Sequence, residues 1–134
     1  MSGFVRAGAI TAIDGETVNA TATVNSDWFR FEGTNDTNLF FLIDNASTAP
    51  KVTVYLDFTP LGVTLASSST DTTKYVSVAL ATDATTKNAM QVYTTSTTEN
   101  ALTRPFVQGR VRVVGGATNG TDTVITVWLV RGER

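Results

Sequence analysis

The chain contains no histidine and no cysteine. Without imidazole there is no Ser-His-Asp or Cys-His arrangement, and no neutral-pH proton shuttle or histidine zinc site. Without thiols there are no disulfides, thiolate metal sites or cysteine nucleophiles. Carboxylate pairs are the chemistry that remains, and two of them could in principle cleave a glycoside. The candidates are Asp14 with Glu16, Asp27 with Glu32, and Asp57. The first pair flanks a tight turn, while Glu32 and Asp57 fall at strand ends, where solvated acids are common. None carries a distinguishing pattern, so no catalytic residue is assigned and the chain reads as a non-enzyme.

Other ligand-binding patterns are equally thin. Gly115-Gly116-Ala117-Thr118-Asn119-Gly120 is glycine-rich but lacks the lysine of a phosphate loop and lies between strands, which makes it a hairpin loop. Asp36, Asp44, Asp71, Asp83 and Asp122 could offer oxygen ligands to calcium. They show no acidic triplet spacing, and turn formation explains each singly, so no metal and no cofactor are expected. Trp28, Tyr55, Tyr75, Tyr93 and Trp128 are either core residues of a sandwich or a sugar-stacking platform. Arg110 and Arg112 share one face of a strand opposite Val111 and Val113. That face is either solvated or a contact strip for an acidic neighbour.

The elements that must carry these residues are strands. Threonine and valine are abundant, and β-branched side chains favour a pleated, half-buried surface. Period-2 alternation recurs along the chain and helical periodicity does not. Val18, Ala20, Ala22 and Val24 alternate with Thr17, Asn19, Thr21 and Thr23, just after Asp14-Gly15. That dipeptide suits a type I′ turn, which predicts an N-terminal hairpin pairing Ile13 with Glu16, Thr11 with Val18, Ala9 with Ala20, Ala7 with Ala22 and Val5 with Val24. Further strands are expected at 28–32, 39–43, 51–58, 61–65, 75–80, 89–94, 110–114 and 123–130. In the strand 51–58, Val52, Val54, Leu56 and Phe58 point inward and Tyr55 and Asp57 outward; in the last, Ile125, Val127 and Leu129 share one face. Polar, turn-rich segments separate the strands, and the stretch 95–105 reads as a surface excursion. Many short strands at this spacing predict an all-β, jelly-roll-like β-sandwich. It would form one domain over 1–134, with an N-terminal hairpin or arm at 1–26 and a sandwich core at 27–134.

Twelve acidic and ten basic residues give a net charge of −2, which offers no electrostatic footprint for nucleic acid or an anionic membrane. No stretch approaches the length of a membrane helix. The start at Met1-Ser2 lacks the pattern of a secretion signal, which leads to the expectation of synthesis in a cytoplasm.

From Phe29 onward the chain resembles small structural proteins of tailed bacteriophages. The segment Phe31-Glu32-Gly33-Thr34-Asn35-Asp36-Thr37-Asn38-Leu39-Phe40-Phe41-Leu42-Ile43-Asp44-Asn45 looks like their element of glycine, polar turn, apolar strand and asparagine. The alternating Lys51-Val52-Thr53-Val54-Tyr55-Leu56 follows it. The ending is similar too, with Gly109-Arg110-Val111-Arg112-Val113-Val114, a glycine-rich turn and Val124-Ile125-Thr126-Val127-Trp128-Leu129-Val130-Arg131-Gly132. The N-terminal hairpin lies outside the resemblance and reads as an added arm. The resemblance implies a virion protein, made in the host cytoplasm and placed on the capsid exterior. There it would decorate and cement the shell by bridging copies of the major capsid protein, often as a homotrimer. Val5, Ala7, Ala9, Ala20, Ala22, Arg110 and Arg112 are its expected assembly contacts. A neck, collar or fibre component, or a carbohydrate-binding sandwich, would share the same features.

Overall fold

A computed structural model describes residues 6–30, 36–44, 50–85, 88–94, 107–117 and 123–133. The described residues form nine strands and no helix: β1 (Arg6–Thr17), β2 (Thr23–Asn25), β3 (Phe29–Arg30), β4 (Asp36–Asp44), β5 (Val52–Pro60), β6 (Val76–Ala84), β7 (Gln91–Thr94), β8 (Val107–Gly115) and β9 (Val124–Glu133). All the pairings are antiparallel. One sheet runs β1-β9-β4-β7; the other runs β2-β8-β5-β6, with β3 also on β8.

β2 and β3 act as one interrupted strand, since both pair with β8. The first strand then pairs with the last, the second with the last but one, β4 with β7 and β5 with β6. A long folded ribbon wound once about itself brings β9 beside β4 and β8 beside β5, and this is the jelly roll.

Alternation decides which side chains fill the gap between the sheets. Val52, Val54, Leu56 and Phe58 of β5 meet Val111 and Val113 of β8 from one sheet. Leu39, Phe41 and Ile43 of β4 and Ile125, Val127 and Leu129 of β9 close on them from the other. All are buried, and at roughly 1.5 to 3 kcal/mol per buried aliphatic or phenyl side chain this slab is the main source of stability. The inward faces expected of β5 and β9 are therefore the ones observed. β4 carries apolar residues on both faces, but only Leu39, Phe41 and Ile43 are buried, while Phe40 and Leu42 are half-buried on the outside.

The N-terminal hairpin does not form. Asp14 and Gly15 lie within β1, which runs straight through them along β9. Between Ile13 and Glu16 the register slips by one residue, and Gly15 adopts φ +60° there. The positive φ that suits a turn serves a β-bulge instead, with Gly15 N donating to Thr126 Oγ1 at 3.0 Å. Pairing with β9 continues on both sides of the bulge, and this long ladder outweighs a local turn. Residues 18–22 then cross to the other sheet rather than extending as a strand. Val18 N donates to Thr123 O and Thr21 N to Gly115 O, and Thr21 has φ 60°.

The strand expected at 61–65 is also absent. Val63 N donates to Pro60 O and Gly62 sits at φ 92°, so the chain turns out of β5 and wraps as an irregular segment, 61–75, over the outer face of the second sheet. The surface excursion expected at 95–105 lies outside the described residues.

Candidate functional site

Among the described residues, the outer face of the β2-β8-β5-β6 sheet carries the densest polar chemistry. Asp57 of β5 lies opposite Arg110 of β8 and Ser77 of β6, and Tyr55 lies opposite Arg112. Cross-strand partners share a face, so parity alone gathers these residues. β2 and β3 supply the rest. Ser26 N donates to Val111 O, and Ser26 Oγ accepts from Val111 N at 2.9 Å. This bridge carries the ladder across the break between β2 and β3. The break sets Trp28 beside Arg110 and leaves Phe29 packed against the core.

Asp57 is fully buried and accepts from five donors. Arg110 donates from Nε (3.0 Å) and Nη2 (2.6 Å) to Oδ2, and Arg112 donates from Nε to Oδ2 (3.0 Å) and from Nη2 to Oδ1 (3.2 Å). Ser77 Oγ donates to Oδ1 at 2.6 Å. One carboxylate thus faces two guanidiniums, and one positive charge is left over in a place with little water. That surplus is spread over carbonyl dipoles and ring faces. Arg110 Nη1 donates to Ser67 O (2.8 Å) and Ser69 O (2.9 Å) of the wrapping segment. Its Cζ lies 4.8 Å from the Trp28 ring centroid and 4.9 Å from that of Tyr75. Arg112 stacks on Tyr55 at 4.1 Å. Desolvated cation–π contacts of this kind reach about 2 kcal/mol each.

The same residues pin the wrapping segment from beneath. Trp28 Nε1 donates to Ala66 O at 3.0 Å. Gln108 Nε2 donates to Pro60 O at 3.2 Å and also to Val63 O. Carbonyls at 60, 63, 66, 67 and 69 are therefore all held by side chains of β8 or of the β2–β3 break. Beside the 61–65 turn lies an open, shallow cleft lined with Arg30, Leu65 and Gln108 among others.

This arrangement corrects two expectations. Arg110 is neither a solvated residue nor an external contact, because its side chain is wholly enclosed by its own chain. Asp57 points outward as its parity requires, yet it is not a solvated strand-end acid. Arg112 keeps 20% of its side-chain surface exposed.

Four of the five aromatic residues also differ from a core set. Trp28, Tyr55 and Tyr75 are half-buried on this outer face with arginines against their rings. Trp128 is half-buried on the outer face of the other sheet, opposite Phe40. Tyr93 lies in β7 opposite Leu39. Asp14, Glu16 and Asp27 are exposed, and Glu32 is outside the described residues. Among the described residues no three acidic side chains converge on a metal-sized site. Of the expected assembly contacts, Ala7 and Ala9 lie in β1 at the border of the first sheet. Ala20 and Ala22 lie in the 18–22 crossing, and Val5 is outside the described residues.

What the geometry defines is a jelly roll whose strongest polar cluster among the described residues is used internally. Solved structures share this fold. A chain of the VP2 subviral particle of infectious bursal disease virus superposes with a TM-score of 0.64 and 12% identity, covering 97% of this chain and 33% of that one. Chains of the Gt and Gx strains of the same virus give TM-scores of 0.59 and 0.58 at 11% and 13% identity, again with 33% of their length covered. The protein thus spans about a third of the length of these relatives in fold. No protein-family model matches the chain, and no curated protein matches it in sequence.

Proposed function

We propose that the protein is a non-enzymatic structural subunit of a virus particle, placed on the exterior of a phage capsid, where it bridges neighbouring copies of the major capsid protein. The observation that carries the proposal is the match of nearly the whole chain to jelly rolls of a virus particle. Fold alone does not fix function, since jelly rolls also serve lectins and cupins. The chemistry of this chain narrows the choice. A chain without histidine lacks the usual imidazole ligands of a metal-dependent enzyme. A sugar-stacking platform needs free ring faces, and Trp28, Tyr55 and Tyr75 each carry a guanidinium against theirs. A sandwich braced on its outer face and bordered by a long edge strand is suited to a mechanical role.

Cryo-electron microscopy of purified particles tests this reading. The expected result is density for the two-sheet sandwich on the outer surface of the shell, touching two or more major capsid proteins. Density confined to the neck, collar or fibres would replace the decoration role with another virion role. Absence of the chain from particles, with binding on a glycan array lost on replacing Trp128, would overturn the proposal.

A further inference from the structure

The two guanidiniums that share Asp57 dispose of their remaining N–H groups differently. Arg110 directs its Nη1 to Ser67 O and Ser69 O and is wholly enclosed. Arg112 directs Nε and Nη2 to Asp57, and its Nη2 also donates to Ser77 Oγ at 3.1 Å. Its Nη1 makes no hydrogen bond among the described residues. This is also the arginine that keeps 20% of its side chain exposed.

Asp57 has nothing further to offer it. A carboxylate has about four lone-pair sites, and this one already accepts from five donors. The surplus positive charge therefore meets a counter-ion only by way of Arg112, because Arg110 is closed over. The hydrogen bonds that hold the wrapping segment reach Gln108, Arg110 and Trp28, and none among the described residues reaches Arg112.

Across the sheet, the row of Arg112 reads Asn25, Arg112, Tyr55 and Ala79. It contains no acid. Tyr55 holds one face of the guanidinium at 4.1 Å and fixes its plane. Asn25 buries its Oδ1, so the acceptor end of that amide is withheld from the surface. What the row presents to a neighbour is a cation with unpaired donors, and its complement is a carboxylate, which would accept charge-assisted hydrogen bonds.

We propose that Arg112 is the outward contact of this cluster, its Nη1 taking the carboxylate of an acidic side chain on a neighbouring protein of the particle. This rests on the virion reading above and adds the chemistry of the partner. The contact brings the cluster to two cations and two anions. Removing Arg112 leaves Asp57 and Arg110 as a balanced pair, so Arg112→Met is expected to fold. Arg112→Gln is the second probe should it fold poorly.

Two measurements test the proposal. On the isolated full chain, sodium acetate is titrated against sodium chloride at matched ionic strength, with the backbone amides of Tyr55 and Arg112 followed by NMR. A saturable acetate response that is lost in Arg112→Met is expected. A response no larger than that to chloride, or a saturable response to inorganic phosphate alone, would overturn the proposal. On particles lacking the chain, rebinding of Arg112→Met should weaken by about tenfold to a hundredfold. Arg30→Met, which removes an equal charge at the exposed end of β3, should rebind like the unaltered protein. Undiminished rebinding of Arg112→Met, or an equal loss with Arg30→Met, would also overturn it. Failure of the unaltered chain to bind particles, with the acetate response present, would sink the virion reading and leave the carboxylate site standing.

Discussion

Arg110 and Asp57 meet at 2.6 Å between Nη2 and Oδ2 with neither side chain reaching solvent. Arg112 also reaches Asp57, so the two single losses are unequal. Replacing Arg110 by methionine leaves the carboxylate with one guanidinium. Replacing Asp57 by asparagine leaves two guanidiniums facing each other, one of them wholly buried. Breaking a buried pair costs about 3 to 5 kcal/mol. The expected order is Asp57→Asn near the upper end of that range and Arg110→Met near the lower. Urea unfolding at unchanged m-value measures both. The reverse order would mean that Arg112 does not share the load.

The 61–75 segment is expected to open separately from the sheets. Trp28→Phe keeps an aromatic ring but removes the donor to Ala66 O. A hydrogen bond of this type is worth about 1 kcal/mol net, which corresponds to a roughly fivefold change in a local opening equilibrium. Amide exchange at Val63 and Ser69, whose N–H groups bond within the segment to Pro60 O and Ala66 O, should accelerate by about that factor in the variant. The amides of β5 and β8 should not change. Uniform acceleration would instead show that the segment opens only when the whole domain unfolds.

Much of the sandwich was legible because it is written in local alternation. Val52 to Phe58 and Ile125 to Leu129 declare their inward faces without reference to any partner. The fate of Asp14-Gly15 was not legible, since the dipeptide reports only that positive φ is available and says nothing of β9, more than a hundred residues later, continuing the ladder past it. Parity correctly put Asp57, Arg110 and Arg112 on an outer face. Their burial comes from the 61–75 segment laid over them, and nothing within β8 encodes that cover. A usable signal did exist: an outward Asp in the middle of an apolar strand, two arginines at i and i+2 on another, and nearby aromatics together make a neutralised cluster.

Gly15 and Gly116 should both resist substitution, for different reasons. An added Cβ at Gly15 meets nothing within 4 Å, but φ is +60°, so alanine there costs about 1 to 2 kcal/mol of left-handed strain. At Gly116 the added Cβ would lie 2.7 Å from Lys51 Cβ and 3.3 Å from Lys51 O, while Gly116 N is tied to Lys51 O at 2.7 Å. Neither side can retreat easily, and overpacking of this kind costs about 1 to 3 kcal/mol. Asparagine separates the two cases, because it tolerates the left-handed region. Gly15→Asn should recover part of the loss seen with alanine in thermal unfolding, and Gly116→Asn should recover none. Equal behaviour of the two asparagine variants would refute the assignment of strain to one site and crowding to the other.

Acid should loosen the turn at Asp71. Asp71 Oδ1 accepts from Thr73 Oγ1 at 2.5 Å and Thr73 N at 3.1 Å, and Lys74 Nζ lies 3.9 Å from Oδ2. The Thr73 hydroxyl, then its amide, and last the Lys74 charge hold the carboxyl below the ordinary aspartate value of 3.8. A carboxyl whose folded-state pKa is depressed supports the fold above its ordinary value and loses that support as pH falls through the depressed one. The turn should therefore be intact at neutral pH and weaken only below pH 3.8. Because the side chain is exposed, the effect should stay local, within the 71–74 turn. A carboxyl-detected NMR titration should place the Asp71 midpoint below 3.8. Thr73→Ala, which keeps the amide donor but removes the hydroxyl, should raise that midpoint part of the way back, and Lys74→Ala should raise it less. If the lysine variant moved the midpoint further than the threonine variant, long-range charge rather than the Thr73 hydrogen bonds would be holding the turn.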